Sequence, residues 1–272
     1  MNVIVADANS IFARSFYAAE MAGDGSRAND LALATILSLL DPNSDKIGVK
    51  IHQTLFCWDT LQKRDKGRPP KPPLYHQTKD ELVQLLTAMI GAEHSIIPGY
   101  EADDQVATAA YREPLENHVY IVSGDKDLQQ LVSLNVSYYC LNKKRLLTRQ
   151  QITDKWKIKK PCQLAIALAV IGDKSDAVSG IKGWGPKRVE TLFEQVPDTA
   201  NFEEALDIVD SQIPSSLKPI FYESLDLTLL NPAIENVPYP KAIKLADQDT
   251  ITSLDISAQI VGRFEMLREV IG

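Results

Sequence analysis

Aspartate closes three apolar runs in this chain. Val3-Ile4-Val5-Ala6 ends in Asp7, and Thr54-Leu55-Phe56-Cys57-Trp58 ends in Asp59. Val119-Tyr120-Ile121-Val122 leads through Ser123-Gly124 to Asp125, with Asp127 two residues on. Glu101-Ala102-Asp103-Asp104 adds three carboxylates where a helix is expected to begin, and Asp173 and Asp176 follow the apolar run Ala165–Ile171. Two like charges about 4 Å apart repel by roughly 1 kcal/mol in water and by about 4 kcal/mol at an intermediate dielectric. Nine such groups brought together would need cations. Oxygen ligands without histidine or thiolate suit Mg²⁺ or Mn²⁺. Two ions about 4 Å apart would support phosphodiester hydrolysis by activating water and stabilising the leaving oxygen. Any one of these aspartates is as readily a helix cap. Their recurrence at successive strand and helix ends is what points to a metal site.

The elements that must position them read as alternating strands and helices. Strands are expected at 3–7, 54–58, 95–97, 119–122 and 136–141, with helices near 10–22, 30–40, 80–90 and 101–111. That rhythm implies an α/β fold with a mostly parallel sheet, whose C-terminal strand ends share one edge where such folds bind ligands. From about Gln150 the pattern turns helical to the end. The reading is therefore an α/β core over residues 1–150 and a helical region over 151–272. Between Asp59 and the helix near Asp80 lies Lys63-Arg64-Asp65-Lys66-Gly67-Arg68-Pro69-Pro70-Lys71-Pro72-Pro73, basic, proline-rich and expected to be irregular.

The net charge of −7 argues at first against a polyanionic partner, but the charge is unevenly placed. Residues 136–192 hold 12 basic and 4 acidic groups, net +8, between flanks of −6 and −9. Within them, Ser179-Gly-Ile-Lys182-Gly183-Trp-Gly185-Pro-Lys187-Arg188 is a glycine-rich turn between helices. Its glycines allow a close backbone approach, and amides at the next helix start suit a phosphate. Lys182, Lys187 and Arg188 would add charge without sequence preference. The plain alternative is a helix–turn–helix corner. Three scattered cysteines suggest neither disulfides nor zinc, no apolar run approaches a membrane span, and no leader pattern opens the sequence. A cytoplasmic protein without a membrane partner is expected.

These motifs, in this order, resemble the 5′ nucleases: the 5′→3′ exonuclease domain of bacterial DNA polymerase I and the phage and cellular flap endonucleases. The resemblance covers roughly residues 1–190. Glu101-Ala-Asp-Asp104, Ser123-Gly-Asp-Lys-Asp127, and Gly172-Asp-Lys-Ser-Asp176 running into Gly183-Trp-Gly-Pro-Lys187 are its most specific pieces. It implies a PIN-like α/β nuclease core, a short arch region at about 60–90, and a helix-three-turn-helix element at about 162–195 that binds duplex DNA and often K⁺. It implies structure-dependent hydrolysis of DNA near a 5′ end, leaving 5′-phosphate and 3′-hydroxyl. The substrates would be flaps, pseudo-Y structures, duplex 5′ ends or RNA–DNA primers.

By match, all nine carboxylates (Asp7, Asp59, Glu101, Asp103, Asp104, Asp125, Asp127, Asp173 and Asp176) are catalytic and metal-binding, with two Mg²⁺ or Mn²⁺ ions expected. Arg14, Lys66 and Lys71 join the catalytic group. Arg14, Lys63, Arg68, Lys182, Gly183, Gly185, Lys187 and Arg188 contact DNA. The family's tyrosine before the arch has no aligned counterpart here, Tyr75 being nearest, and the interval from Asp59 to Glu101 is short, which implies a small arch. A bacterial or phage-encoded, stand-alone and monomeric nuclease is the expectation. Two other readings are a DNA-structure-binding relative with weak chemistry and a PIN-type ribonuclease.

Overall fold

The computed structural model describes residues 1–60, 70–113, 115–230 and 232–272. Its sheet is built from β1 (Asn2–Asp7), β2 (Gln53–Cys57), β3 (Glu93–Ser95), β4 (His118–Ser123), β5 (Val136–Cys140), β6 (Arg145–Leu147) and β7 (Lys241–Ala242). The order is β3-β2-β1-β4-β5-β6, with β7 paired to β2. The first five strands are parallel, and β6 and β7 run antiparallel to their neighbours. The fold is thus the mostly parallel α/β sheet expected, followed by a helical region. Strand order reverses between β1 and β4, so a crevice opens beyond the carboxyl ends of those two strands. In register Ala6 faces Val122, which sets Asp7 beside Ser123.

Period-2 alternation decides which core each strand residue enters. Ile4, Ala6, Phe56, Tyr120 and Val122 point to one face, Val3, Val5, Leu55, Val119 and Ile121 to the other. The first face is covered by α1 (Ala8–Met21), α2 (Ala28–Leu40) and α3 (Pro73–Ile90). The second is covered by α4 (Ala102–Arg112) and by Ile152 of α5 (Arg149–Trp156). Phe12, Phe16 and Trp58 are fully enclosed in the first core, where a buried side chain of this kind contributes roughly 1.5–3 kcal/mol.

A third core joins α6 (Leu164–Ile171), α7 (Pro186–Phe193), α8 (Phe202–Ser211) and α9 (Lys218–Thr228). α6 is apolar on every side, and residues 164–170 are all buried, as a helix at the centre of a bundle must be. The final elements, α10 (Gln248–Ser253) and α11 (Ala258–Ile271), leave this bundle. Ile251, Ile260, Phe264 and Leu267 pack into the first core beside α2 and α3, while β7 extends the sheet.

Other differences from the sequence reading have local causes. α3 begins at Pro73, seven residues earlier than expected, because proline at the first helical position costs no hydrogen bond. Much of the expected arch region is therefore a helix seated through Leu82, Leu86 and Met89 on the first core. β6 was hidden by Lys143-Lys144-Arg145, a basic run with no strand pattern that nevertheless turns back onto β5. Lys63, Lys66 and Arg68 lie outside the described residues.

The segment after α6 folds back on itself. Asp173 and Val178 exchange both backbone hydrogen bonds at 2.8 Å, pinching Asp173 to Asp176 into a tight loop. Its base closes because Gly172 and Gly180 both adopt positive φ and touch. A Cβ on Gly180 would meet the Gly172 nitrogen at 2.3 Å. Gly180→Ala should therefore destabilise the protein by about 2–4 kcal/mol, combining left-handed strain with overpacking. Urea denaturation would show it as a lower midpoint at unchanged slope.

Candidate active site

Asp7 ends β1, caps α1 and touches β4. Its Oδ1 accepts the Ser10 amide at 3.0 Å, and its Oδ2 accepts the Ser10 and Ser123 hydroxyls, each at 2.6 Å. Burial, then the charge of Asp59, push the carboxyl up to about 6, against those hydrogen bonds. Asp59 Oδ1 accepts the Ala102 amide at 2.7 Å, so Asp59, two residues beyond β2, caps the first amide of α4. Both aspartates are caps and both line the cleft. Capping a helix and lining the cleft are thus compatible in the same residue.

α4 brings Glu101 and Asp103 to the same place. Burial, then Glu101, Asp125, Asp7 and Asp59, push Asp103 up to about 8, as burial beside like charges does. Asp104, on the next position of the helix, is buried and does not line the cleft.

The turn after β4 carries Asp125 and Asp127. Ser123 Oγ accepts the Asp125 amide at 2.9 Å, and Asp125 Oδ1 accepts the Asp127 amide at 2.9 Å. The Tyr138 hydroxyl on β5 braces the turn, 2.9 Å from Ser123 O and 2.7 Å from Asp125 O. The pinched loop after α6 then delivers Asp176, and one oxygen each from Asp125, Asp127 and Asp176 lie within 4.8 Å of one another. Asp127 is 7 % exposed, and its Oδ1 is buried with no hydrogen-bond partner. Burial, then Asp125, push its carboxyl up to about 8. An all-oxygen set holding a buried carboxylate oxygen without a hydrogen bond suits a hard divalent cation.

The cleft encloses about 630 Å³. Acids form its floor: Asp7, Asp59, Glu101, Asp103, Asp125 and Asp176. Its walls also carry Arg14, Lys71, Lys126, Lys143 and Lys155. Arg14 donates to Asn142 Oδ1 at 2.8 Å, and Asn142 donates to Gly124 O at 3.1 Å, which fastens the guanidinium to the rim. Lys71 donates to the Tyr17 hydroxyl at 2.8 Å, with its Nζ 4.9 Å and 5.0 Å from the Tyr17 and Tyr75 ring centroids. Carboxylates for a cation beside ammonium and guanidinium groups for an anion make a cleft suited to a metal-bound phosphodiester.

Asp173 does not line the cleft but pairs with Lys126, whose Nζ also lies 3.5 Å from Asp176 Oδ2 and 3.7 Å from Asp127 Oδ1. Burial disfavours the ammonium, yet Asp127, Asp173 and Asp125 outweigh it and its pKa is raised. The sequence reading gave no site role to Lys126, Ser10, Ser123, Asn142, Lys143 or Lys155. Lys126 and Ser123 sat inside a quoted motif. Ser10, three residues after Asp7, was a local capping partner that could have been read, whereas Asn142, Lys143 and Lys155 carried no signal until β6 folded back and α5 closed beside the cleft.

The glycine-rich turn lies apart from the cleft lining, at the start of α7. Gly183 has positive φ, Gly185 precedes the helix and Pro186 opens it. Lys182 and Lys187 are exposed, while the Arg188 guanidinium sits 4.4 Å from the Trp184 ring centroid.

A family model described as 5′-3′ exonuclease, N-terminal resolvase-like domain, matches residues 2–157. The chain belongs to that family. It is 26 % identical over 277 residues to DNA polymerase I of Geobacillus stearothermophilus, an alignment covering 97 % of this chain and 31 % of that protein. It is 30 % identical over 164 residues to a 5′-3′ exonuclease of Aquifex aeolicus (strain VF5), covering 60 % of this chain and 55 % of that one. The chain thus spans about a third to a half of the length of these relatives. The phage T5 D15 protein, co-crystallised with metal ions, shares the fold over the full length of both chains at a TM-score of 0.64 and 15 % identity.

Proposed function

We propose that this protein is a structure-specific, divalent-metal-dependent 5′ nuclease, hydrolysing DNA phosphodiesters near 5′ ends or flap junctions to leave 5′-phosphate and 3′-hydroxyl. One observation carries the reading. Carboxylates at the ends of β1 and β2, at the start of α4, in the turn after β4 and in the loop after α6 converge in one cleft with cations on its walls, and Asp127, with an oxygen within 4.8 Å of those of Asp125 and Asp176, keeps its buried Oδ1 without a hydrogen bond. Family membership supports it.

Asp125, Asp127 and Asp176 would hold one divalent ion, Mg²⁺ or Mn²⁺, and Asp7, Asp59, Glu101 and Asp103 are candidates for a second, with Asp104 supporting them from within the core. Such ions supply an activated water and neutralise charge developing on the leaving oxygen. The chain's own residues do the rest. Ser10 and Ser123 fix Asp7, Asp59 locks α4 to β2, and Tyr138 holds the turn of Asp125. Arg14 and Lys71 receive the phosphates flanking the scissile bond. Residues 162–195, with Lys182, Gly183, Gly185, Lys187 and Arg188, grip the duplex and could hold K⁺ on backbone carbonyls. A monomer acting on DNA in the cytoplasm, in primer removal or repair, completes the reading. Among the described residues no helix is long and apolar enough to cross a membrane.

The test is cleavage of a labelled 5′-flap duplex with Mg²⁺ and with EDTA. Junction-proximal, Mg²⁺-dependent cutting is expected. Binding without cutting at any Mg²⁺ or Mn²⁺ concentration would replace this reading with that of a non-catalytic DNA binder, and RNA cutting indifferent to a junction would replace it with that of a ribonuclease. Replacing Lys182 and Lys187 together by alanine should weaken DNA binding alike for all sequences. It should also flatten the plot of log affinity against log salt by about 2, one unit per lost phosphate contact. An unchanged slope in a filter-binding titration would remove the turn from the DNA path.

A further inference from the structure

Lys126 occupies an odd position. It lies in sequence between two carboxylates of the candidate metal group, and its ammonium sits among three. It pairs with Asp173, lies 3.5 Å from Asp176 Oδ2 and 3.7 Å from Asp127 Oδ1, and donates to Ser175 Oγ at 3.4 Å. Asp127 and Asp176 are also two of the three residues whose oxygens converge within 4.8 Å. The ammonium and a divalent ion therefore draw on the same two carboxylates. The fit of the ammonium is uneven. It is close to Asp173, which is not one of the converging three, and at 3.7 Å it leaves Asp127 Oδ1 buried without a hydrogen bond. A buried carboxylate oxygen without a donor is costly, and a bound ion would relieve it. Two cations this close repel, and a lysine's flexible four-carbon stem lets its charge move off.

We propose that Lys126 is the resident counter-cation of this carboxylate group. A divalent ion entering at Asp125, Asp127 and Asp176 displaces the ammonium from Asp127 and Asp176 and leaves it on Asp173, so that Lys126 sets the metal concentration at which this position fills. The inference rests on the metal-binding reading above. Lys126 is thus a positioning residue that acts on the ion through shared carboxylates.

Mn²⁺ binding, followed by the electron paramagnetic resonance of the free ion, tests it on wild type, Lys126→Met and Lys126→Arg. Methionine keeps the length of the stem and removes the charge. One class of Mn²⁺ site should tighten about tenfold in Lys126→Met, ~1.4 kcal/mol. The other class should be unchanged, and Lys126→Arg, which retains the charge, should stay near wild type. In EDTA, Lys126→Met should also melt lower than wild type, because the carboxylates lose their compensating charge. If it does not fold, Lys126→Gln, which can still hydrogen-bond Asp173, carries the same expectation. Identical Mn²⁺ isotherms for folded charge-free variants and wild type, or weaker binding in those variants, would overturn this proposal alone. No Mn²⁺ binding by wild type would overturn the metal reading as well.

Discussion

Asp125→Asn is expected to lower cleavage of a 5′-flap duplex by about 10³-fold, equivalent to ~4 kcal/mol of lost transition-state stabilisation. Asp125 belongs to the converging set with Asp127 and Asp176, and it stands close enough to Asp103 to raise the pKa of that group. It therefore faces both halves of the acidic floor. The substitution keeps the shape of the side chain, and Asn Oδ1 can still accept the Asp127 amide that Asp125 holds at 2.9 Å. What it removes is charge. In EDTA the same variant should be more stable than wild type, since it relieves repulsion on Asp103 and Asp127. Loss of activity joined to a gain in metal-free stability separates a site built for cations from a structural carboxylate. Near-normal turnover at saturating Mg²⁺ would dismiss Asp125 from the chemistry.

The second large effect is a pH dependence that metal reverses. Asp7 is pushed up to about 6, and Asp103 and Asp127 up to about 8, whereas an unfolded aspartate titrates near 3.9. All three are raised, so between about pH 4 and pH 8 the metal-free native state holds protons that the unfolded chain has released. The stability these groups contribute is fully present below about pH 4 and is lost as pH rises through 6 and then 8. In EDTA the melting temperature should therefore fall from pH 5 to pH 8.5, by an amount on the order of a few kcal/mol in stability. Mg²⁺ or Mn²⁺ should restore it most at the alkaline end, because binding displaces those protons and tightens as pH rises. Melting curves at fixed ionic strength, with EDTA and with Mg²⁺, would show two diverging profiles. Parallel profiles would mean that these carboxylates are not linked to a cation.

Why so much of the site was legible, and which parts were not, follows from the range over which each feature is encoded. Asp7, Asp59 and Asp125 are the residues at which short, β-rich apolar runs stop. In a parallel sheet every such stop falls on one edge, so their meeting could be read locally. The acidic start of α4 was legible for the same reason. Strand alternation likewise settled the α/β class, since Val3 and Val5 must face away from Ile4 and Ala6 whatever surrounds them.

Other features depend on contacts between distant parts of the chain. The backbone of β6 pairs with β5 although its Arg145 is polar and exposed, and main-chain hydrogen bonds leave no mark in a hydropathy pattern. α11 is amphipathic and could cover either the helical bundle or the sheet. Its choice of α2 rests on the shape of the first core.

The sequence by itself determined the class of fold, the carboxylates Asp7, Asp59, Glu101, Asp103, Asp125 and Asp176 that gather in the cleft, and the position of the basic turn, because each is written in residues adjacent or periodically spaced. Only the tertiary structure decided that Asp104 is enclosed while Asp103 lines the cleft, and that Ser10 and Ser123 hold Asp7. It alone placed Lys126, a residue that reads as an ordinary surface cation, among Asp127, Asp173 and Asp176. The last two lie 47 and 50 positions further along the chain, and the pinch between Gly172 and Gly180 brings them back to it.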